Sequence, residues 1–354
     1  MTSLSLAGCV RAVAIPVLSA LAVLSLVGCA PERLPSGPSQ SASPPWVSTY
    51  VTPDPTELAP LRGTTVPAGS LDHASIAAKV DNHWDARPQI GLERTDMLFE
   101  ELVEGGITRY VAVWQSDIPE LLGPVRSIRP MDPDIISPFG GIVCYSGGQQ
   151  RFVNLMLKTP VYNAIHGQRD TEKTFYRAKN KIAPHTVVVK AQEVLAQHPT
   201  IPAPQQQFAY SLDGASSTAG KNGEPTVAIN YRFSNLYYGN WEWDETGDRW
   251  LRVQQDKVDL DSNGNQLSAT NVVILRVNVI NDTNVPKTQL YGSGEAWVSS
   301  GGGTVHGTWT KDSANESLRL LDDNGITIRL AAGNTWFELI PPPGSVSFAG
   351  PFAP

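Results

Sequence analysis

The apolar segment near the N-terminus constrains the fold most, because it decides which part of the chain is available to fold. Residues 12–27 form a 16-residue apolar run that only Pro16, Ser19 and Ser25 interrupt, and Arg11 is the single charged residue of residues 1–28. A membrane-spanning helix needs ~20 apolar residues, whereas a shorter run of this kind is typical of a signal peptide. The sequence therefore predicts a signal peptide over residues 1–28 and a folded part outside the cytoplasm.

The residues that end this run predict a lipid anchor. Leu26-Val27-Gly28-Cys29 resembles the lipobox of bacterial lipoproteins. The resemblance implies cleavage before Cys29, a thioether-linked diacylglycerol on Cys29 and further acylation such as palmitate, because several acyl chains together give stable anchoring. The predicted location is thus the extracytoplasmic face of the cell membrane, with the membrane as a partner through the anchor. The alternative is an ordinary signal peptide with an incidental cysteine.

Charge and cysteine content exclude several classes of protein. The net charge of −7 disfavours nucleic-acid binding, which needs a basic surface. Once Cys9 leaves with the signal peptide and Cys29 is acylated, Cys144 is the remaining thiol, so a disulfide framework is excluded. We expect Cys144 to be a buried apolar residue, with a nucleophilic thiol as the alternative. The sequence carries no P-loop, nucleophile elbow or zinc signature, and we expect neither a cofactor nor a metal.

Composition divides the rest of the chain. Residues 29–72 are predicted to be the acylated cysteine and a tether, since 20 of residues 31–70 are Pro, Ser or Thr. Such a segment cannot bury enough apolar surface to offset its ordering entropy. An N-terminal domain is expected over residues 73–200, a Pro-, Gly- and Gln-rich linker over 201–224, a C-terminal domain over 225–342 and a tail over 343–354.

The predicted fold class is α+β. Strands are expected at residues 75–81, 96–104, 107–116, 142–146 and 186–189, and short helices at 130–139, 149–158 and 191–198. Gly105-Gly106 indicates a hairpin, because tight hairpin turns need positive φ. Strands that alternate with helices favour a mixed α/β layered domain.

The C-terminal half is predicted to be mostly β, as a sandwich or an open barrel. Short alternating strands are expected at 226–233, 236–244, 250–254, 272–279, 294–299, 305–311, 326–330 and 335–340. Six of the nine tryptophans fall here, and core packing is the simplest role for most of them. Residues 259–265 resemble the start of a calcium loop, but Thr270 stands where a bidentate Glu is needed, so we expect a hairpin turn.

Charged residues concentrate in residues 79–132, which makes this stretch the candidate site. Strand alternation gives each face of residues 97–104 one or two carboxylates among apolar side chains, and half-buried carboxylates need partners. One interpretation is a structural network, such as Glu104 with Arg109 across the hairpin. The other is an anion site at Arg126 and Arg129, which flank Ser127 between two prolines, since guanidiniums bind phosphate or carboxylate in a bidentate manner. The ligand-binding candidates are Asp81, Asn82, Arg87, Glu101, Glu104, Arg109, Arg126, Ser127, Arg129 and His166.

Three motifs carry a resemblance to a known family. The residues that resemble the YerB-like lipoproteins are Val80-Asp-Asn-His with Ala86-Arg-Pro-Gln, residues 96–109, and Gly123-Pro-Val-Arg-Ser-Ile-Arg129. Later residues, such as Gly307-Thr-Trp309 and Gly333-Asn-Thr-Trp336, resemble the second domain of that family. The resemblance covers roughly residues 75–340 and implies two domains of unknown function, without assigned catalytic residues.

Two hypotheses on function follow, with a purely structural spacer as a third and weaker one. The first is a non-catalytic module that binds a cell-wall component or an envelope protein. The alternative is an envelope enzyme that acts on a phosphate-bearing or glycan substrate, with Arg126 and Arg129 as the anion clamp. A shared cleft for the charged candidates would favour a ligand site.

Overall fold

A computed structural model describes residues 46–351. Pro53 begins a compact unit, and residues 46–52 carry no regular secondary structure. Cys29, the predicted signal peptide and most of the predicted tether lie outside the described residues. Between residues 46 and 351, none of the helices is both long enough and apolar enough to cross a bilayer.

An eleven-stranded mixed sheet is the centre of the fold. Its strands, from one edge to the other, are Glu224–Pro225, Gly303–Lys311, Gly292–Ser300, Asn271–Arg276, Thr335–Ile340, Met97–Leu102, Thr108–Trp114, Ile76–Asp81, Ile142–Tyr145 and Tyr162–Ile165, with Arg319–Asp322 beside Gly303–Lys311. The central strands are buried along almost their whole length, which explains why their sequences are mostly apolar.

Smaller sheets pack around it. A six-stranded sheet contains Ala228–Arg232, Tyr238–Asp244, Arg249–Gln254, Lys257–Val258, Ser268–Ala269 and Ser345–Ala349, and a three-stranded sheet contains Leu121–Leu122, Phe175–Arg177 and Val187–Lys190. Three strand pairs complete the set: Thr56–Leu58 with Thr65–Pro67, Tyr210–Ser211 with Leu330–Ala331, and Asn278–Asp282 with Val285–Gln289.

The helices are short. The α-helices are Asp132–Ile136, Gln150–Met156, Ala191–Ala196 and Thr218–Asn222, and the 3-10 turns are Trp84–Ala86, Leu92–Arg94, Glu104–Gly106 and Ser137–Phe139. Pro133 lies in the first turn of Asp132–Ile136, where its missing N–H costs nothing. The predicted helices at 130–139, 149–158 and 191–198 all contain one of these elements.

The α+β class and the mostly β C-terminal half are confirmed. Strands from both predicted domains belong to the large sheet, because Thr335–Ile340 pairs in parallel with Met97–Leu102. The division at residues 201–224 stays a prediction. Two local predictions need correction. Residues 53–72 were expected to be tether but contain a strand pair with Leu61 fully buried, and the strand expected at 326–330 is Leu330–Ala331.

Four of the six C-terminal tryptophans are buried in the core, namely Trp241, Trp250, Trp309 and Trp336. Cys144 is fully buried, and burial raises the pKa of its thiol to about 12. The calcium-like loop is a self-contained turn, since the Asp261 carboxylate accepts from the backbone amides of Asn263 and Asn265.

Candidate functional site

Three parallel strands of the large sheet end at one edge and bring polar residues together there. Ile76–Asp81, Ile142–Tyr145 and Tyr162–Ile165 run in the same direction. Asp81 therefore lies at the same edge as Ser146 and His166, the residues that follow the other two strands. The carboxyl ends of parallel strands are where open α/β sheets place their ligands.

A loop carrying two of the predicted arginines is fixed across this edge. The amide of Arg126 donates to Lys79 O at 2.8 Å, and its carbonyl accepts from the amide of Ser146 at 2.9 Å. The Ser127 hydroxyl donates to Ser146 O at 2.9 Å. These bonds join the loop to two strand ends, so its side chains are presented from a rigid backbone.

Three guanidiniums meet around this loop, and we call Arg109, Arg126 and Arg129 the arginine cluster. Arg109 and Arg129 both donate from Nη1 to Ser127 O, at 3.1 and 3.2 Å. Arg126 Nε lies 3.1 Å from Asp81 Oδ2, and Arg129 Nε donates to Glu104 Oε2 at 2.7 Å. The expected pairing of Glu104 with Arg109 is therefore wrong: the turn Glu104–Gly106 directs Glu104 to Arg129, and in the strand register Arg109 stands opposite Glu101 and Asp81.

The arginine cluster has more positive charge than its carboxylates balance, because three guanidiniums face Asp81 and Glu104. Burial, together with the charges of Arg129 and Arg126, lowers the pKa of Arg109 to about 10. Burial opposes ionisation of Glu104, but the hydrogen bond with Arg129, a backbone hydrogen bond and the charges of Arg129 and Arg109 together outweigh it and lower the pKa of Glu104. Arg109 is only 5% exposed, and its Nε has no hydrogen-bond partner within the described residues. An anion would supply the missing acceptor and the missing charge.

A buried ion triad supports the cluster from below. Lys79 Nζ donates to Asp132 Oδ1 at 2.7 Å and to Glu101, and all three side chains are inaccessible to solvent. Asp132 Oδ2 also accepts from the Arg129 amide at 2.5 Å. Burial and the nearby Asp132 raise the pKa of Glu101 to about 8. Asp132 thus holds the loop from inside the fold, and Glu101 is joined to it through Lys79.

Asn82 and Arg87 lie in a separate hydrogen-bond network that joins the N-terminal and C-terminal halves of the chain. Arg87 donates from Nε to Asn82 Oδ1 at 3.1 Å and from Nη1 to Gln255 Oε1 at 2.8 Å. The Tyr237 hydroxyl donates to Asn82 O at 3.0 Å. Asn82 is fully buried, so its contacts are those of a structural residue.

His166 is connected to the arginine cluster by Ser146. The Ser146 hydroxyl is 3.1 Å from His166 Nδ1, and the Ser146 carbonyl accepts from Ser127 in the loop. Burial, and then the charge of Arg177, lowers the pKa of His166. A neutral imidazole in this position can accept the serine proton, which is the pairing found in nucleophilic catalysis.

A second histidine group has the residue types of a metal site. Suitable atoms of His83, Asp85 and His185 lie within 4.8 Å of one another. However, the two imidazole rings are stacked, with centroids 4.7 Å apart and planes 13° apart. Since a ligating lone pair lies in the ring plane, stacked rings do not direct two lone pairs at one ion. His185 Nδ1 is also 2.6 Å from Asp81 Oδ2. These residues suit a stacked, hydrogen-bonded wall better than a metal centre.

The structure thus brings together seven of the ten candidates: Asp81, Glu104, Arg109, Arg126, Ser127 and Arg129 directly, and His166 through Ser146. Glu101 lies beneath them, and Asn82 and Arg87 lie to one side. Lys79 and Asp132 were missed by the sequence reasoning. A lysine inside the buried strand Ile76–Asp81 was the available signal, because a buried ammonium needs carboxylate partners.

Comparison with known proteins finds one family over most of the chain. Residues 61–202 match the model described as "Protein of unknown function (DUF3048) N-terminal domain", and residues 227–337 match the corresponding C-terminal domain. YerB of Bacillus subtilis (strain 168), a protein named as a lipoprotein, is 24% identical over 293 residues, which is 80% of this chain and 86% of that protein.

The fold is also that of a solved relative. The crystal structure of the YerB protein from Bacillus subtilis matches with a TM-score of 0.72 and 21% sequence identity, and the match covers 82% of this chain and 99% of the other. At this identity the likeness establishes the fold alone.

Proposed function

Since the chain belongs to the family of YerB-like lipoproteins, whose two domains are of unknown function, we propose that it is a lipid-anchored extracytoplasmic module that binds an acidic component of the cell wall. The anchor is Cys29, and the binding site is the arginine cluster. The tether between them starts at Cys29 and ends where the compact unit begins at Pro53.

The observation that carries the proposal is the charge imbalance at the arginine cluster. Arg109 is almost completely buried, yet its Nε lacks a hydrogen-bond partner within the described residues, and two further guanidiniums depress its pKa. Uncompensated buried positive charge is costly to a fold. A phosphate or carboxylate that accepts from two of these guanidiniums removes the cost, so the same feature that weakens the free protein favours the complex.

Retention on isolated cell-wall sacculi tests the binding site. We expect the full chain in detergent to be retained, and the variant Arg126→Ala/Arg129→Ala to be lost from the sacculi. The matched control is Arg94→Ala/Arg319→Ala, which also removes two positive charges, but from exposed pairs with Asp117 and Asp312. Equal loss in both variants would mean nonspecific charge attraction. Retention on solubilised envelope proteins, but not on sacculi, would make a protein the partner instead.

The anchor is tested separately from the site. Cys29→Ser removes the thiol that the lipid needs, so we expect the protein to leave the membrane fraction and to lose incorporation of radiolabelled palmitate. Cys144→Ser is the control, because that thiol is buried. Membrane retention of Cys29→Ser with its label intact would refute the anchor and leave the binding site untouched.

A second candidate function has one observation in its favour, which is the contact of Ser146 with His166 beside the arginine cluster. In this alternative the protein is an envelope enzyme on a phosphate-bearing or glycan substrate, with Arg126 and Arg129 as the anion clamp, Ser146 as nucleophile and His166 as general base. Hydrolysis of a chromogenic phosphate ester that is lost in both Ser146→Ala and His166→Gln would support it. If the wild-type protein hydrolyses the ester no faster than either variant, the enzyme hypothesis is eliminated.

A further inference from the structure

A cleft of about 750 Å³ opens beside the wall of stacked histidines. Residues from both halves of the chain line it, among them Trp84, Arg87, Gln255, Val258, Leu260 and Asn263. We call it the Trp84 cleft. Its volume lies within the range of small-molecule sites in proteins.

Trp84 gives the cleft a flat and fixed apolar surface. Its side chain is 51% exposed although tryptophan is among the residues that folding buries most effectively. Its ring packs against His83 at 3.9 Å and Tyr237 at 6.4 Å between centroids, and Tyr237 is itself held by its hydrogen bond to Asn82. The indole is therefore held in place while much of its surface faces solvent.

The rest of the lining combines apolar and polar groups. Val258 is 53% and Leu260 40% exposed, and exposed Ser262 and Asn263 lie on the turn beside them. Gln254 and Asp259, both buried, form polar parts of the lining. A ligand that fits must offer apolar faces to the indole and the aliphatic side chains, and hydrogen-bonding groups at its edges.

We propose that the Trp84 cleft binds a saccharide. A pyranose ring has an apolar C–H face that stacks on an aromatic ring and hydroxyl or amide groups around its edge, which matches the two kinds of lining. An extended peptide fits less well, because the edge strand at the cleft, Lys257–Val258, is only two residues long and offers little backbone for strand addition. An acyl chain fits less well, because it would cover the exposed polar side chains of Ser262 and Asn263 without offering them hydrogen bonds.

A series of side-chain contacts links the cleft to the arginine cluster, and this link narrows the class of saccharide. Trp84 packs on His83, His83 stacks on His185, His185 bonds Asp81, and Asp81 pairs with Arg126. A saccharide long enough to pass from Trp84 over the partly exposed His83 to Arg126 would contact both sites. The ligand class is an oligosaccharide with an acidic substituent, in which the acidic group occupies the arginine cluster. This last step rests on the proposed function, whereas the saccharide site itself does not.

Calorimetric titration of the full chain in detergent with two probes tests the saccharide site at Trp84 separately from the anion site at the arginine cluster. One is neutral N-acetylglucosamine trimer, and the other is the disaccharide of N-acetylglucosamine and N-acetylmuramic acid, which carries a carboxylate. We expect both to bind the wild-type protein, with the acidic probe tighter. Trp84→Ala should weaken both by about tenfold or more, and Trp84→Phe, which keeps a ring, by only a few-fold.

The control variant is Trp46→Ala, which removes an exposed tryptophan that is not among the residues lining the cleft, and it should bind both probes like wild type. Wild-type affinity of Trp84→Ala for both probes, or failure of both to bind the wild-type protein, overturns the saccharide site. The variant Arg126→Ala/Arg129→Ala should weaken only the acidic probe. If it does not, the proposed anion site fails while the saccharide site stands.

Discussion

Two regions of the molecule gather charge around arginine, and they solve the same electrostatic problem differently. Arg252 is completely buried, pairs with both Glu100 and Asp259, and donates further hydrogen bonds to the hydroxyls of Tyr110 and Tyr231, at 3.0 and 2.8 Å. Its guanidinium also packs on Trp336, 4.8 Å from the ring centroid. The arginine cluster is partly open to solvent and has three guanidiniums for two carboxylates. Arg252 Nε, like Arg109 Nε, has no hydrogen-bond partner within the described residues, so the contrast rests on charge. The single guanidinium of the first region has two carboxylate partners, which marks it as structural, whereas the second region has one guanidinium more than its carboxylates, which marks it as a site.

The largest expected loss of stability comes from removing Arg252 from the structural region. Arg252→Met keeps much of the side-chain volume but leaves Glu100 and Asp259 as buried carboxylates beside Glu338, whose pKa burial and Glu100 already raise well above its ordinary value. Loss of one partner from a buried ion pair costs about 3–5 kcal/mol. We expect the free energy of unfolding in urea to fall by that amount. A change below about 1 kcal/mol would show that Arg252 is not required to join the two halves.

A smaller effect is expected from the triad under the site, and it depends on pH. The folded-state pKa of Glu101 is raised from 4.5 to about 8, so the folded protein binds an extra proton between these values and loses stability as the pH rises through them. Glu101→Gln mimics the protonated form. It should remove this pH dependence, on the order of 3 kcal/mol between pH 5 and 8.

Urea unfolding at several pH values measures this prediction, with the exposed Glu120→Gln as its control. The control should keep the slope of the wild-type protein. If Glu101→Gln shows the same slope as wild type, the proton resides elsewhere in the triad, and Asp132 becomes the residue to replace.

The smallest effect on stability is expected at the arginine cluster itself. Arg126→Ala/Arg129→Ala removes two ion pairs whose arginines are partly exposed, and pairs at such positions contribute about 0–1 kcal/mol. Asp81, which is buried, keeps His185 as its partner. It also removes two charges that repel Arg109, which offsets part of the loss. We expect the unfolding free energy to change by less than about 1 kcal/mol while ligand binding is lost. A loss of unfolding free energy as large as that of Arg252→Met would show that the arginine cluster, like Arg252, stabilises the fold rather than binding a ligand.

The sequence predicted local structure well because that information is local. The hairpin at Gly105-Gly106 follows from glycine's freedom at positive φ, and both residues adopt it. The α+β class and most strands follow from alternation and apolar runs. The pairing of Thr335–Ile340 with Met97–Leu102 is not predictable in this way, because no local pattern specifies contacts between segments more than 200 residues apart.

The site was predicted in its residue types but not in its pairings. Arg126, Ser127 and Arg129 are adjacent in the chain, so their convergence is readable from the sequence. The partner of Glu104 is not, because it depends on how the turn Glu104–Gly106 meets a loop that begins about 20 residues later. Trp84 was overlooked as a binding residue because exposure is a tertiary property, and a tryptophan in the sequence most often predicts core.

Hydrogen exchange of the full chain with and without inorganic phosphate, at matched ionic strength in chloride, tests the contrast between the two regions most directly. Because a ligand slows local opening where it binds, the account predicts slower exchange at residues 126–129 and 146–148 and no change at residues 249–254. Exchange that phosphate leaves unchanged at residues 126–129 and 146–148, or slows equally around Arg252, would contradict the claim that uncompensated charge marks an anion site.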